Sequence, residues 1–320
     1  MPLEDENLVM SVIIATKNRA EALRTKSLPS LARQDSANFE VLVWDASEDL
    51  VSEQVVQAFS SSVQYLNVRY FKAERPGLPA QRNDSIEYAR GDIIFFIDDD
   101  SEVSTNGIRV LSEMFLEDKE LDGGCLPLDY GWPTSSNGLD RSGRFSKHVQ
   151  MAHAYIFNWA FRLSGLQPTM PITSGPVRFL SGCDMALRRS ILLDYSFNER
   201  LQRFGGYALY EDQLLSRQLH LAGRKMRVAN GGMVRHLAAV GNRSTNPCKQ
   251  GQMEGYNASI VWKETASKIS FLSIMAFLWA RFGFFLVLFL PCLRWPWQPS
   301  RWQRLFGYLS GIWTFVFEEF

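Results

Sequence analysis

Three adjacent carboxylates, Asp98, Asp99 and Asp100, follow the apolar run Ile93 to Ile97 in the stretch GDIIFFIDDDSE. Neighbouring acids repel one another, and each is costly to desolvate unless positive charge sits beside it. A hard divalent cation is the simplest partner. It prefers oxygen ligands, and with one or two carboxylates it fills its coordination from water and substrate phosphates. If the strand continues, Asp98 and Asp100 point to the same side, because strand side chains alternate with period two. The stretch therefore predicts a metal and diphosphate site at the carboxyl edge of a parallel sheet, where open α/β folds bind ligands. The competing reading is a solvated turn or a helix start capped by Ser101 or Ser104.

The elements that must position these acids alternate along the chain. Val9 to Ala15 reads as a first buried strand, followed by the polar loop Thr16-Lys17-Asn18-Arg19. A helix pattern carries Leu23, Leu28 and Leu31, interrupted by Pro29. Phe39 to Trp44 is a second strand ending in Asp45-Ala46-Ser47, Val51 to Phe59 a helix, and Val63 to Phe71 a third strand. Ala80 to Ala89 is a helix leading into the Ile93 strand, Thr105 to Phe115 another helix, and Leu121 to Leu128 a further strand. Strand and helix in alternation predict an α/β fold with a mostly parallel, Rossmann-like sheet. Neither GxGxxG nor GxxxxGK[ST] is present, which argues against a dinucleotide-binding or P-loop enzyme. Asp129 to Gly143 reads as a loop over the site, and Lys147 to Leu163 as an aromatic stripe at helical spacing.

The chain holds 34 basic and 34 acidic side chains, unevenly placed. Residues 1–140 carry 12 basic and 25 acidic groups, and residues 141–250 carry 16 and 5. An acidic first part suits metal binding. A basic middle suits a nucleoside diphosphate, an anionic acceptor or an anionic membrane surface; nucleic acid is not an expected partner. The four cysteines show neither CxxC nor zinc-ligand spacing. The N-terminus MPLEDENLVM lacks the apolar stretch of a signal peptide, so the catalytic part is expected in the cytoplasm.

VSVIIATKNRAEAL, FEVLVWDAS and GLPAQRNDSIEYARGDIIFFIDDD, taken in order, resemble the nucleotide-binding half of family 2 glycosyltransferases with the GT-A fold. The resemblance spans roughly the first 105 residues and implies an inverting, metal-dependent transferase using Mn2+ or Mg2+. By similarity, Thr16, Asn18, Arg19 and Asp45 would hold base and ribose, and Arg82 would approach the diphosphate or ribose. Asp98 and Asp99 would contact the nucleotide sugar, and Asp98 and Asp100 the metal. The competing role for Arg82 is a surface ion pair with Asp84 or Glu87. FLSGCDMALRRS resembles the family's turn beside the acceptor, which makes Gly182, Cys183 and Asp184 acceptor candidates; Asp184 could instead cap a helix. YEDQLL resembles the family's E-D motif at a helix start, with Asp212 as general base and Glu211 as second candidate. His236 stands where many GT-A enzymes place a histidine on the metal or diphosphate, with Arg243 or Ser244 near the same loop. The donor would be a nucleotide-diphosphate sugar, and the acceptor a saccharide or lipid-linked hydroxyl in surface-glycan assembly. A nucleotidyltransferase on a similar fold and a non-catalytic sugar-nucleotide binder are the rival classes.

The catalytic domain is expected over residues 1–250 and a helical, apolar extension over 251–320. Tyr256 to Lys268 reads as a helix. Phe271 to Leu290 is twenty residues with one charge, Arg281, at its midpoint. Its length could span a bilayer, but a central arginine costs about 2.5–3.5 kcal/mol on insertion scales. A second apolar segment runs from Leu305 to Phe317. Trp295, Trp297 and Trp302 alternate with Arg294, Arg301 and Arg304 between the two, as in segments that anchor at the membrane interface. Peripheral attachment to the inner membrane face is expected; an apolar homodimer interface is the alternative.

Overall fold

The computed structural model describes residues 10–36, 38–129, 174–205, 207–237, 246–266 and 270–319. The stretch 147–163, nearly all of the loop expected over 129–143, and Arg243 and Ser244 lie outside them. The chain divides into two compact units. One comprises Met1–Trp132, Pro171–Phe197 and Gln218–Asn242; the other comprises Pro133–Met170, Asn198–Arg217 and Arg243–Phe320.

The first unit is built on β1 (Met10–Thr16), β2 (Phe39–Asp45), β3 (Asn67–Lys72), β4 (Ile93–Asp98), β5 (Ser101–Val103), β6 (Gly123–Cys125), β7 (Leu128–Asp129), β8 (Gly175–Pro176), β9 (Asp184–Arg188), β10 (Met226–Val228) and β11 (Val234–His236). Eight strands form the main sheet in the order β3-β2-β1-β4-β9-β6-β10-β8. β1 pairs in parallel with β2 and β4, and β2 with β3. β1, β2 and β4 are buried almost throughout, as mainly apolar strands require when helices cover both faces; the buried Ser11 hydroxyl donates to Glu40 at 2.7 Å. Their apolar side chains pack with Leu23, Leu28, Leu111 and Phe115 from neighbouring helical segments. The sheet is mostly parallel, as expected, but β9 runs antiparallel to both β4 and β6. A smaller sheet, β5-β11-β7, joins three short segments far apart in the chain.

Local chemistry explains where the elements differ from expectation. The stretch containing Pro29 is helical, and Leu23–Ser27 widens into a π turn just before Leu28–Ala32. That widening accommodates a proline that can neither donate nor tolerate the carbonyl four residues back. The strand expected over 121–128 is two strands, β6 and β7, parted at Pro127, which lacks a ladder donor. The helix expected over 80–89 is Leu78–Ile86, with Pro79 in its first turn.

The second unit is helical: Pro247–Thr265, Phe271–Arg294 and Pro299–Glu319. The first starts nine residues earlier than Tyr256, because the Asn246 side chain caps it by accepting from the Lys249 amide and Pro247 suits its first turn. Ser270 and Ser273 form a reciprocal capping box on the second. Gly251 and Gly255 face Gly307 and Gly311 across the outer helices. A Cβ on Gly251 would lie 2.0 Å from the Arg304 carbonyl oxygen, and one on Gly311 2.3 Å from that of Gln252. Only glycine permits that approach. The Phe271–Arg294 helix has two unlike sides. Ala276, Phe277, Ala280, Arg281 and Val287 are buried, whereas Phe271, Leu272, Leu278, Trp279 and Phe282 are exposed. Arg281, the midpoint charge, is on the buried side at 6% exposure, with its guanidinium 5.6 Å from the Phe277 ring.

Candidate active site

The three acids do not continue the strand. β4 ends at Asp98, and Asp99 and Asp100 make a turn into β5. The period-two reason for placing Asp98 and Asp100 on one side therefore fails. They converge by another route: β11 pairs with β5, His236 opposite Ser101. This pairing sets His236 Nε2 at 3.4 Å from Asp98 Oδ2 and 3.2 Å from Asp100 Oδ1. Burial works against the His236 proton, but hydrogen bonds to Asp100 and Asp98 outweigh it and raise its pKa to about 9.

Arg19 takes Asp99 and shares Asp100 with His236. Its Nη1 lies 3.0 Å from Asp99 Oδ1, and its Nη2 donates to Asp100 Oδ2. Thr16 Oγ1 donates to Asp99 Oδ2 at 2.7 Å. Burial still pushes Asp99 up to about 7 against these partners. Asn18, next to Arg19, adopts a left-handed φ of 55°, which asparagine tolerates, and its amide donates to Ser47 Oγ at 2.7 Å. A cavity of ≈ 430 Å³ opens at this loop, lined by Asn18, Arg19, Lys26, Asp49 and Ser52 among others. That is the size of small-ligand sites.

Arg82 is 2% exposed, so the surface ion pair is not its role; Asp84 pairs with Arg75 instead. The Arg82 guanidinium packs against both the Phe96 and Phe197 rings, at 5.7 and 5.2 Å from their centroids. Its Nη2 donates to the Gly182 carbonyl at 2.8 Å and reaches Asp98 Oδ1 at 3.4 Å. The turn before Asp184 opens strand β9 rather than a helix, so Asp184 is no helix cap. β9 pairs with β4, Ile97 opposite Asp184, and this register brings Cys183 beside Asp98. One ligand atom each from Asp98, Cys183 and His236 lie within 4.8 Å of one another. Asp184 points inward at 1% exposure; its Oδ1 accepts from the Leu126 amide at 3.1 Å, and burial raises its pKa to about 8.

Asp45 closes β2 fully buried. Its Oδ1 accepts from the Ser47 amide at 2.9 Å and from the Ser47 hydroxyl, and its Oδ2 from the Tyr70 hydroxyl at 3.0 Å. Sequence reasoning passed over three supports of this site. Ser47 was signalled by the Asp-x-Ser turn pattern. Tyr70 and Gln81 carried no local signal. Gln81 Nε2 donates to the carbonyls of Thr16 at 3.0 Å and Trp44 at 2.9 Å, tying the Leu78–Ile86 helix to the ends of β1 and β2.

Glu211 and Asp212 belong to the second unit and open the helix Glu211–Leu221. Glu211 is buried, and Asp212 is half-buried with Oδ1 accepting from the Gln213 amide at 2.8 Å. Asn257 Nδ2 donates to the Leu209 carbonyl at 3.0 Å and the Leu201 carbonyl at 2.8 Å, fixing the segment that leads into them. Tyr210, just before the pair, holds φ at 71°. A bulky residue in that region is strained, and such strain persists where surrounding structure enforces it, often at working sites.

A mostly parallel sheet whose strand ends gather acids and arginine, met by a histidine from the smaller sheet, defines a glycosyltransferase of GT-A architecture. The chain belongs to glycosyl transferase family 2, whose sequence profile matches residues 11–195. Over 144 residues it is 27% identical to the GalNAc(5)-diNAcBac-PP-undecaprenol beta-1,3-glucosyltransferase of Campylobacter jejuni subsp. jejuni serotype O:2, a match covering 43% of this chain and 46% of that relative. The chain thus matches less than half of that relative's length. Its fold is similar to that of the mannosyltransferase PcManGT from Pyrobaculum calidifontis, solved with GDP-Man and Mn2+ (TM-score 0.55, 16% identity, 98% of this chain and 88% of that one). It is also similar to S. aureus TarS 1-349 in complex with UDP-GlcNAc (TM-score 0.52, 18% identity, 98% and 93%).

Proposed function

We propose that this glycosyltransferase moves a sugar, with inversion, from a nucleotide-diphosphate sugar to a hydroxyl of a saccharide or lipid-linked acceptor. The observation that carries the reading is the convergence of Asp98, Cys183 and His236 at the end of β4, beside Arg82 and Arg19. Carboxylate and imidazole are donors that suit a divalent ion such as Mn2+. Asp98, Asp100 and His236 would hold it, and bound there it would neutralise charge on the leaving nucleoside diphosphate. Arg82 is pinned among two rings and a carbonyl, so its charge is oriented before donor arrives. Asp45 has about four lone-pair sites. Three are taken by Ser47 and Tyr70. These bonds fix the carboxylate at the end of β2, which supports the base-binding role together with Thr16, Asn18 and Arg19. Asp212 accepts the acceptor hydroxyl proton, with Glu211 as the second candidate for that role. Gly182 and Cys183 form the acceptor-side turn, which buried Asp184 braces from within through Leu126.

The second unit supports a membrane-side location. Phe271–Arg294 is long and apolar enough to cross a bilayer by length and composition. Its one central charge faces inward, and its outer side is a continuous apolar stripe. Peripheral attachment to the inner membrane face by this stripe keeps Arg281 out of lipid. A relative that acts on an undecaprenol-linked glycan is consistent with an acceptor presented there.

One observation favours a second reading, transfer without a cation: Arg19, Arg82 and protonated His236 already face the three acids. The experiment is to offer the full chain UDP- and GDP-sugars with lipid-linked glycan acceptors and measure nucleoside diphosphate release with Mn2+, Mg2+ or EDTA. Release that EDTA stops supports the proposal, and release unaffected by EDTA supports the second reading. Donor binding without any release would leave only a binding protein.

A further inference from the structure

We infer that Cys183 is a further protein ligand at the cation position and gives this site a preference for thiophilic divalent ions. The inference rests on the donor site proposed above and adds a sulfur donor that the acid motif does not announce.

Two strand registers bring the group together. Ile97 pairs with Asp184, so in an antiparallel pair the residue after Ile97 and the residue before Asp184 come side by side; these are Asp98 and Cys183. His236 is delivered separately by its pairing with Ser101. The turn carrying Cys183 is held at both ends. The Asp184 amide donates to the Ser181 carbonyl at 2.8 Å, and Arg82 grips the Gly182 carbonyl. Cys183 is 6% exposed, its Sγ lies 3.3 Å from Ser181 Oγ, and it forms no disulfide. The thiol is therefore placed by backbone, not by a mobile side chain on an open surface.

The donor set then has two modes. A hard ion such as Mg2+ takes oxygen ligands and leaves the thiol protonated. A borderline or soft ion such as Co2+, Zn2+ or Cd2+ binds sulfur and nitrogen more strongly. For such an ion the Cys183 thiol gives its proton to solvent, and the thiolate shares its electron pair with the metal beside Asp98 and His236. No oxidant or reductant is involved. Thiophilic ions would thus bind tightly and compete with the working cation.

The test is Co2+ titration of the full chain, followed by absorbance and by calorimetry, with Cys183→Ser and Cys248→Ser compared. A thiolate-to-cobalt charge-transfer band in the near ultraviolet is expected in the unaltered protein and in Cys248→Ser, and not in Cys183→Ser. Losing a ligand should cost at least what losing an outer-sphere partner does, roughly 10–100-fold in Co2+ affinity, with Mg2+ affinity unchanged. Absence of the band in the unaltered protein, or its survival in Cys183→Ser, overturns the inference. Thermal unfolding of the serine variant checks that it folds. If Cys183→Ser does not fold, Cys183→Ala is titrated in its place. Donor binding with Mg2+ is measured in parallel: if it persists while the band is missing, the sulfur ligand is wrong and the donor site stands.

Discussion

Arg82 donates through Nη2 to the carbonyl oxygen of Gly182 at 2.8 Å, joining two segments 100 residues apart. The contact is tight from both directions, since a Cβ on Gly182 would lie 2.8 Å from Arg82 Nη1 and 3.0 Å from Nη2. Gly182→Ala should therefore displace the guanidinium. The expected stability loss is about 1–3 kcal/mol, as for overpacking. Arg82→Met strands a buried carbonyl and should lose about 1–3 kcal/mol. Both variants should bind donor more weakly. Urea unfolding and donor titration check this; unchanged donor affinity in both would remove Arg82 from the donor site.

Asp212→Asn keeps the size of the side chain and removes its basicity. It should lower kcat by roughly 10²–10⁴-fold, the span of general base catalysis. Donor affinity should stay near that of the unaltered protein. Glu211→Gln should have the smaller effect on kcat. Turnover at full rate in Asp212→Asn would place the base elsewhere.

Asp184 ties stability to pH. Burial raises its pKa from 3.8 to about 8, against the Leu126 amide, which lowers it. Between those values the folded chain keeps a proton that the unfolded chain gives up. Its contribution to stability is therefore fully present below pH 3.8 and is lost as pH rises toward about 8. Asp184→Asn has no such proton, so its stability should fall less over that window. Urea midpoints measured at several pH values should diverge between the two proteins. Parallel curves would show that Asp184 is ionised in the fold.

The glycine contacts of the second unit predict a large and local defect. A Cβ on Gly255 would lie 2.3 Å from the Tyr308 carbonyl oxygen, and one on Gly307 2.1 Å from that of Cys248. Backbone atoms cannot turn aside as side chains do. Gly255→Leu should cost about 1–3 kcal/mol or more. The loss should appear in unfolding of the Pro247–Thr265 and Pro299–Glu319 pair. Unaltered unfolding would mean that the helices separate at little cost.

The exposed stripe of Phe271–Arg294 predicts binding to vesicles. Each large apolar side chain removed from water contributes about 1.5–3 kcal/mol. Trp279→Glu and Phe282→Glu should each weaken partitioning roughly tenfold or more on that scale. Flotation with anionic vesicles reads the change. Equal flotation by both variants and the unaltered chain would assign the stripe another partner, a second copy being the first to examine by sedimentation.

Much of the first unit was written locally. Buried strands of a mostly parallel sheet declare themselves as mainly apolar runs, and their ends declare themselves by acids and turn residues, so β1, β2 and β4 stood close to their expected bounds. The apolar run with one central arginine was equally plain. Pairing across the chain was not. Nothing near Asp98 announces that Cys183 and His236 will sit beside it, because those neighbours depend on the registers Ile97 with Asp184 and Ser101 with His236. Nor does the sequence near Arg281 say which way it faces; that follows from packing among the three C-terminal helices, where the Tyr308 hydroxyl donates to the Arg281 carbonyl at 2.9 Å. Residue types and short-range periodicity settled which groups were available and which elements carried them. Long-range hydrogen bonding and close packing decided which carboxylate meets which cation, since those contacts join segments that local sequence cannot relate.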